Sequence, residues 1–182
     1  MIIKSRIQLK NAVGAALLCT GLWSAPVYAE TKPTKSEAVI IRPLSFIVFE
    51  DLNFGQIIAS NTAGTVTLTP GGVRTATNGI ALIGTEFSGA RFAGQGRLNQ
   101  IVTIALAANT IQITGPGNNR MRVRTFTIGS TPTAVLSTNP RRFRIAGANG
   151  IFAFTVGATL EVGANQVPGL YTGNWDVTLE YQ

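Results

Sequence analysis

The sequence predicts an all-β fold, an antiparallel sandwich or barrel, and three observations predict it. From residue 38 onward, short runs rich in Val, Ile, Thr and Phe alternate with clusters of Gly, Pro, Asn and Asp. No stretch keeps a helical period for three turns. Charged residues are 13% of the 182, too few for a coiled coil, while a 45% hydrophobic share excludes a disordered chain.

Residues 1–29 read as a secretory signal peptide that is cleaved. Lys4, Arg6 and Lys10 supply its positive start, residues 12–22 its apolar run, and Ala25-Pro26-Val27-Tyr28-Ala29 its small-residue cleavage site. The run is shorter than the roughly 20 residues of a membrane-spanning helix. Cys19, the sole cysteine, follows Leu17 and Leu18 rather than a small residue, so it reads as part of the apolar run and not as a lipid anchor. Losing this segment removes three cations, so the net charge of +7 overstates how basic the exported chain is. Residues 30–37 are polar and contain Pro33, and they read as a flexible leader. A single β-sandwich domain is expected over 38–182, with no membrane-spanning segment in the mature chain.

Strands are expected at 39–49, 54–58, 65–69, 79–83, 90–92, 100–106 and 110–114. They continue at 121–128, 134–136, 142–146, 151–155, 159–162 and 171–181. Pro70-Gly71-Gly72, Asn78-Gly79, Gly115-Pro116-Gly117 and Asn149-Gly150 supply turns between them. The last strand alternates most cleanly. Trp175, Val177, Leu179 and Tyr181 share the side expected to face the core, and Asp176, Thr178, Glu180 and Gln182 share the other.

The chain has no His, and its only thiol lies in the signal segment. Ser-His-Asp and Cys-His nucleophiles and zinc sites therefore lack their side chains. Of the eight acids, Glu30 and Glu37 fall in the leader, Asp176 and Glu180 on an outer strand face, and Glu50-Asp51 at a strand end. No paired-carboxylate site is apparent. Gly94-Gln95-Gly96-Arg97 and Gly115-Pro116-Gly117 lack the ending of a phosphate loop and read as turns. The expectation is a non-enzymatic protein without catalytic residues, cofactor or metal. Arg120, Arg122 and Arg124 form one basic stripe, and Arg141, Arg142 and Arg144 a second cluster. Such stripes bind anionic polymers such as a surface polysaccharide, or they simply face solvent and guard a strand edge. Few aromatics accompany them, so nucleic acid is not expected as a partner.

Four stretches carry a family resemblance. They are Pro43-Leu44-Ser45 leading to Leu52-Asn53-Phe54-Gly55, Ala63-Gly64-Thr65-Val66-Thr67-Leu68, Phe154-Thr155-Val156-Gly157-Ala158-Thr159-Leu160, and residues 168–182. Together they resemble the secreted bacterial domain-of-unknown-function 4402 family, which is likened to pilins, over about 43–182. The ending resembles subunits of chaperone–usher pili, with Tyr181 penultimate and Gly169 fourteenth from the end. The resemblance implies an immunoglobulin-like, pilin-like antiparallel β-sandwich, exported to the periplasm, cell surface or medium. It implies strand association through Gly169, Trp175, Val177, Leu179 and Tyr181, with other subunits or a periplasmic chaperone as partners. The leader 30–37 lacks the alternating apolar residues of a donated strand, and no disulfide is available. Residues 39–49 are the apolar segment near the N-terminus long enough to be donated, and they either do so or pair within their own domain. Two other readings stand beside a fimbria-like subunit. One is a secreted binding module for a glycan or anionic polymer. The other is a small outer-membrane barrel, against which short strands and Gln182 at the end both argue.

Overall fold

A computed structural model describes residues 45–182, so the expected signal peptide, the expected leader and the first part of the 39–49 segment lie outside the described residues. The described chain forms thirteen strands and one 3-10 turn, and all strand pairs are antiparallel. Among the described residues, no helix is long and apolar enough to cross a membrane.

The larger sheet is built on β12 (Ile151–Val162), the longest strand. Val156 is opposed by both Ala90 and Ile128, and Leu160 by both Val66 and Val123. Hence β6 (Ala90–Gln95) and β3 (Gly64–Leu68) follow one another along one edge of β12, and β9 (Arg120–Ile128) runs along the other. Beyond β6 lies β1 (Ser45–Glu50), and beyond β3 lies β4 (Arg74–Ala76). Two strands flank β9, namely β8 (Thr110–Thr114) and β10 (Ala134–Val135). A second sheet has the order β11 (Arg141–Arg144), β7 (Ile101–Leu106), β13 (Val177–Tyr181). A separate ribbon pairs β2 (Gln56–Ile58) with β5 (Ala81–Ile83).

The two sheets meet as a sandwich because both alternate. Val66, Val123, Phe126, Ile128, Val156, Ala158 and Leu160 of the large sheet pack in one cluster with Ile104 and Leu106 of the small one. Phe46, Phe92 and Phe154 stack at one end of it, with centroids 5.1–6.1 Å apart. Trp175 lies edge-on to Phe92 at 5.8 Å and stacks on Phe126 at 4.9 Å. No buried side-chain nitrogen or oxygen among the described residues lacks a partner.

A bulge in β9 sets which of its residues reach this core. Gly157 of β12 opposes Thr127 and Thr159 opposes Arg124, so Thr125 and Phe126 together face Ala158. Thr125 takes a φ of 52°, a strained value for a β-branched residue. The inward positions consequently switch from Met121 and Val123 to Phe126 and Ile128. Strict alternation along residues 121–128 would have turned Phe126 to solvent.

Several sequence expectations are refined. The 110–114 strand forms as expected, and Asn78 and Gly79, at φ 54° and 72°, make the expected turn closed by Ile80 N–H to Thr77 O. The two strands expected at 151–155 and 159–162 are one, because Gly157 continues the ladder. The strand expected at 171–181 begins only at Val177. Thr172 makes an isolated bridge to Thr114, and Trp175 enters the core from a loop. The short β4, Arg74–Ala76, was not anticipated: Arg74 donates to the Phe54, Ile83 and Gly84 carbonyls and covers the Phe87 ring. Of the 39–49 segment, Ser45–Val48 pair with β6 of their own domain, and Phe49 lies at a bulge.

Candidate functional site

The residues singled out in the sequence fall in three places. Arg120, Arg122 and Arg124 project from the outer face of the large sheet, where the alternation of β9 before its bulge puts them. They are largely engaged there. Glu161, across the ladder on β12, takes both Arg124 and Arg122, the latter at 3.7 Å, and Arg120 donates to Gln112 at 3.0 Å. Exposed pairs of this kind stabilise by only about 0–1 kcal/mol, so they organise the face more than they hold the fold.

The second cluster, Arg141, Arg142 and Arg144, belongs to β11 on the other sheet, so the structure does not bring the two clusters together. All three arginines are exposed, and among the described residues none has an ion pair or side-chain hydrogen bond. They mark an edge, since among the described residues β11 pairs only with β7.

The opposite edge of that sheet is β13. Val177 and Leu179 are half-buried against the core and Tyr181 is half-buried against Phe152, while Asp176, Thr178 and Glu180 are exposed, as the alternation predicts. Gln182 N–H donates to Ile101 O and Ala107 N–H to Asp176 O, which fixes the phase of the ladder. Even-numbered residues bond β7, and the main-chain groups of Val177, Leu179 and Tyr181 point away from it. By the same argument the Ile145 N–H to Gln100 O bond leaves the main chain of Arg142 and Arg144 pointing outward on β11. Gly169 is not part of this strand. It lies in the preceding loop at φ 147°, against Pro116 of the 3-10 turn, where a side chain would collide with that ring.

Tyr181 fastens the end of β13. Its hydroxyl donates to Gln95 O at 3.1 Å on the large sheet, and its ring meets Phe152 edge-on. Burial pushes its phenol above the ordinary value of 10.0. The folded state therefore retains the proton through a range in which the unfolded chain has lost it. This contribution is complete below pH 10 and is lost as pH rises through that value and beyond. Tyr181→Phe is expected to cost about 0.5–1.5 kcal/mol at neutral pH through the lost hydrogen bond. Thermal melts should show the gap to the parent narrowing above pH 10, and a gap independent of pH would contradict this reading of Tyr181.

A fourth feature, not picked out in the sequence, is a groove of about 650 Å³ on the outer face of the large sheet around the bulge, lined by seven threonines and by no charged residue. Thr67 and Thr159 hydrogen bond to one another across the ladder at 3.1 Å, and strained Thr125 stands at its wall. The alternating threonines of Gly64-Thr65-Val66-Thr67-Leu68-Thr69 were the available signal, read there only as strand vocabulary. A wall of hydroxyls offers donors and acceptors to a polar ligand.

Residues 46–181 match the family model described as Domain of unknown function (DUF4402). No curated protein matches the chain.

Proposed function

The chain belongs to the DUF4402 family, and on that premise we propose that it is an exported, non-enzymatic structural or surface-interaction protein, a fimbria-like subunit that works by strand-mediated association. One observation carries the reading: the β11–β7–β13 sheet ends on both sides in strands whose outer main chain has no partner among the described residues. Unpaired N–H and C=O groups in a row are a template for another strand, and natural proteins usually blunt or cover them. Ser45–Glu50 is already paired with β6, so the association adds strands to completed edges and does not require donation of that segment.

The test is made in the producing cell. A tagged chain should fractionate with the cell surface and migrate in assemblies much larger than one copy on native gels. A chain that stays inside the cell, or is monomeric in every envelope extract, would overturn the proposal. The threonine groove favours a second reading, a module for a hydroxyl-rich glycan. Titration with neutral surface polysaccharide should then perturb Thr125 and Thr127 signals in an NMR spectrum, and unchanged signals would remove it.

A further inference from the structure

The smaller sheet has two unlike edges. One is basic, with Arg141, Arg142 and Arg144 on β11, and the other acidic, with Asp176 and Glu180 at β13. All five side chains are exposed, and none makes an ion pair among the described residues. We propose that the acidic β13 edge of one copy adds to the basic β11 edge of a second copy, so that the protein associates head to tail with itself. This rests on the strand-association reading above and names its partner.

Register makes the two edges complementary. Arg142 opposes Thr103 on one side of β7, and Glu180 opposes the same Thr103 on the other. Directly opposed residues share a face, so Arg142 and Glu180 end one cross-strand row on the exposed side of the sheet. Both outer strands are antiparallel to β7 and therefore run in the same direction. Copies joined in one orientation thus meet in parallel pairing. The outward main-chain groups of Leu179 and Tyr181 face those of Arg142 and Arg144 in the next copy, and Glu180 comes beside one of those arginines.

The same charges disfavour the symmetric alternatives. A two-fold contact of β13 with β13 sets Glu180 against like charge, and one of β11 with β11 sets arginine against arginine, both destabilising. A contact between unlike edges leaves every assembly with one free edge of each kind, so it grows or closes into a ring and does not stop at a dimer.

The experiment is sedimentation velocity over a concentration series on the protein as the cell exports it, on two charge-reversed variants, and on their mixture. The first variant carries Asp176→Arg and Glu180→Arg, and the second Arg142→Glu and Arg144→Glu. All four positions are exposed, so unchanged melting temperatures are the check that each variant folds. The parent should form species beyond a dimer that dissociate in high salt. Each variant alone should need at least about tenfold more protein to associate. The mixture should recover association, because each variant's edges then meet edges of opposite sign. Parent assemblies that both variants form equally well would overturn this contact and leave strand association through another edge standing. A parent that is monomeric when purified, while its cellular assemblies persist, would overturn the second copy as partner. Loss of the cellular assemblies as well would overturn the functional reading itself.

Discussion

Replacing Phe126 with Ala is expected to destabilise the domain by about 3–5 kcal/mol, measured by chemical denaturation. Phe126 is 1% exposed and stacks on Trp175, which in turn meets Phe92. Truncation empties the position at which the large sheet and the loop before β13 meet. Partial collapse is hindered because Val123 and Ile128, its inward neighbours on β9, are themselves buried and held in the ladder with β12. A loss of that size is a large share of the 5–15 kcal/mol by which domains are usually stable, so the variant should be largely unfolded at moderate temperature. Phe126→Leu keeps most of the volume and should lose clearly less. If Phe126→Ala cost under about 1 kcal/mol, the phase change at the bulge would be misassigned, since a surface position costs that little.

Gly157→Ala should be nearly as damaging, at about 3 kcal/mol, although it adds a single methyl group. Gly157 sits in the middle of β12, where a Cβ would overlap the Leu68 carbonyl oxygen and come within 2.7 Å of the Thr69 carbonyl carbon and 2.8 Å of the Pro70 nitrogen. These are main-chain atoms, so no rotamer change relieves the contact. Relief requires the end of β3 to move away from β12, which breaks pairing on the spine of the larger sheet. Gly71→Ala is the natural control. A Cβ there meets only Thr69 Oγ1, at 3.9 Å, and should change the denaturation midpoint little. Equal midpoints for the two variants would show that β3 does not approach β12 as closely as described.

The contrast between these residues explains what the sequence could and could not reveal. Local alternation and turn chemistry were legible: the Thr110–Thr114 strand, the Asn78-Gly79 turn and the two faces of Val177–Tyr181 follow from neighbouring side chains alone. Gly157 misled because glycine inside an apolar run resembles a break, whereas here it admits a neighbouring backbone. The bulge at Thr125 left no local mark, since nothing in Arg124-Thr125-Phe126 distinguishes a two-against-one pairing from a regular one. Trp175 looked like the first inward residue of the last strand because it keeps that strand's parity while lying in a loop.

The candidate site was legible in its residues but not in its arrangement. Both arginine clusters were visible, yet Glu161, which occupies two members of the first, is 37 positions from Arg124. Which strands end a sheet is a property of long-range pairing, so the free edges of β11 and β13 could be read only from the fold. The same holds for the threonine groove, which collects side chains from strands far apart in the chain.

If association runs through the main chain of the β11 and β13 edges, amide hydrogen exchange followed as a function of protein concentration should report it residue by residue. In dilute protein, the amides of Val177, Leu179, Tyr181, Arg142 and Arg144 should exchange fast, because they point away from β7, while those of Thr178 and Glu180 are protected. As the protein associates, the amides of Leu179, Tyr181, Arg142 and Arg144 should gain protection, while those of Thr178 and Glu180 should change little. Assemblies that form while Leu179, Tyr181, Arg142 and Arg144 keep their dilute exchange rates would show that association runs through another surface.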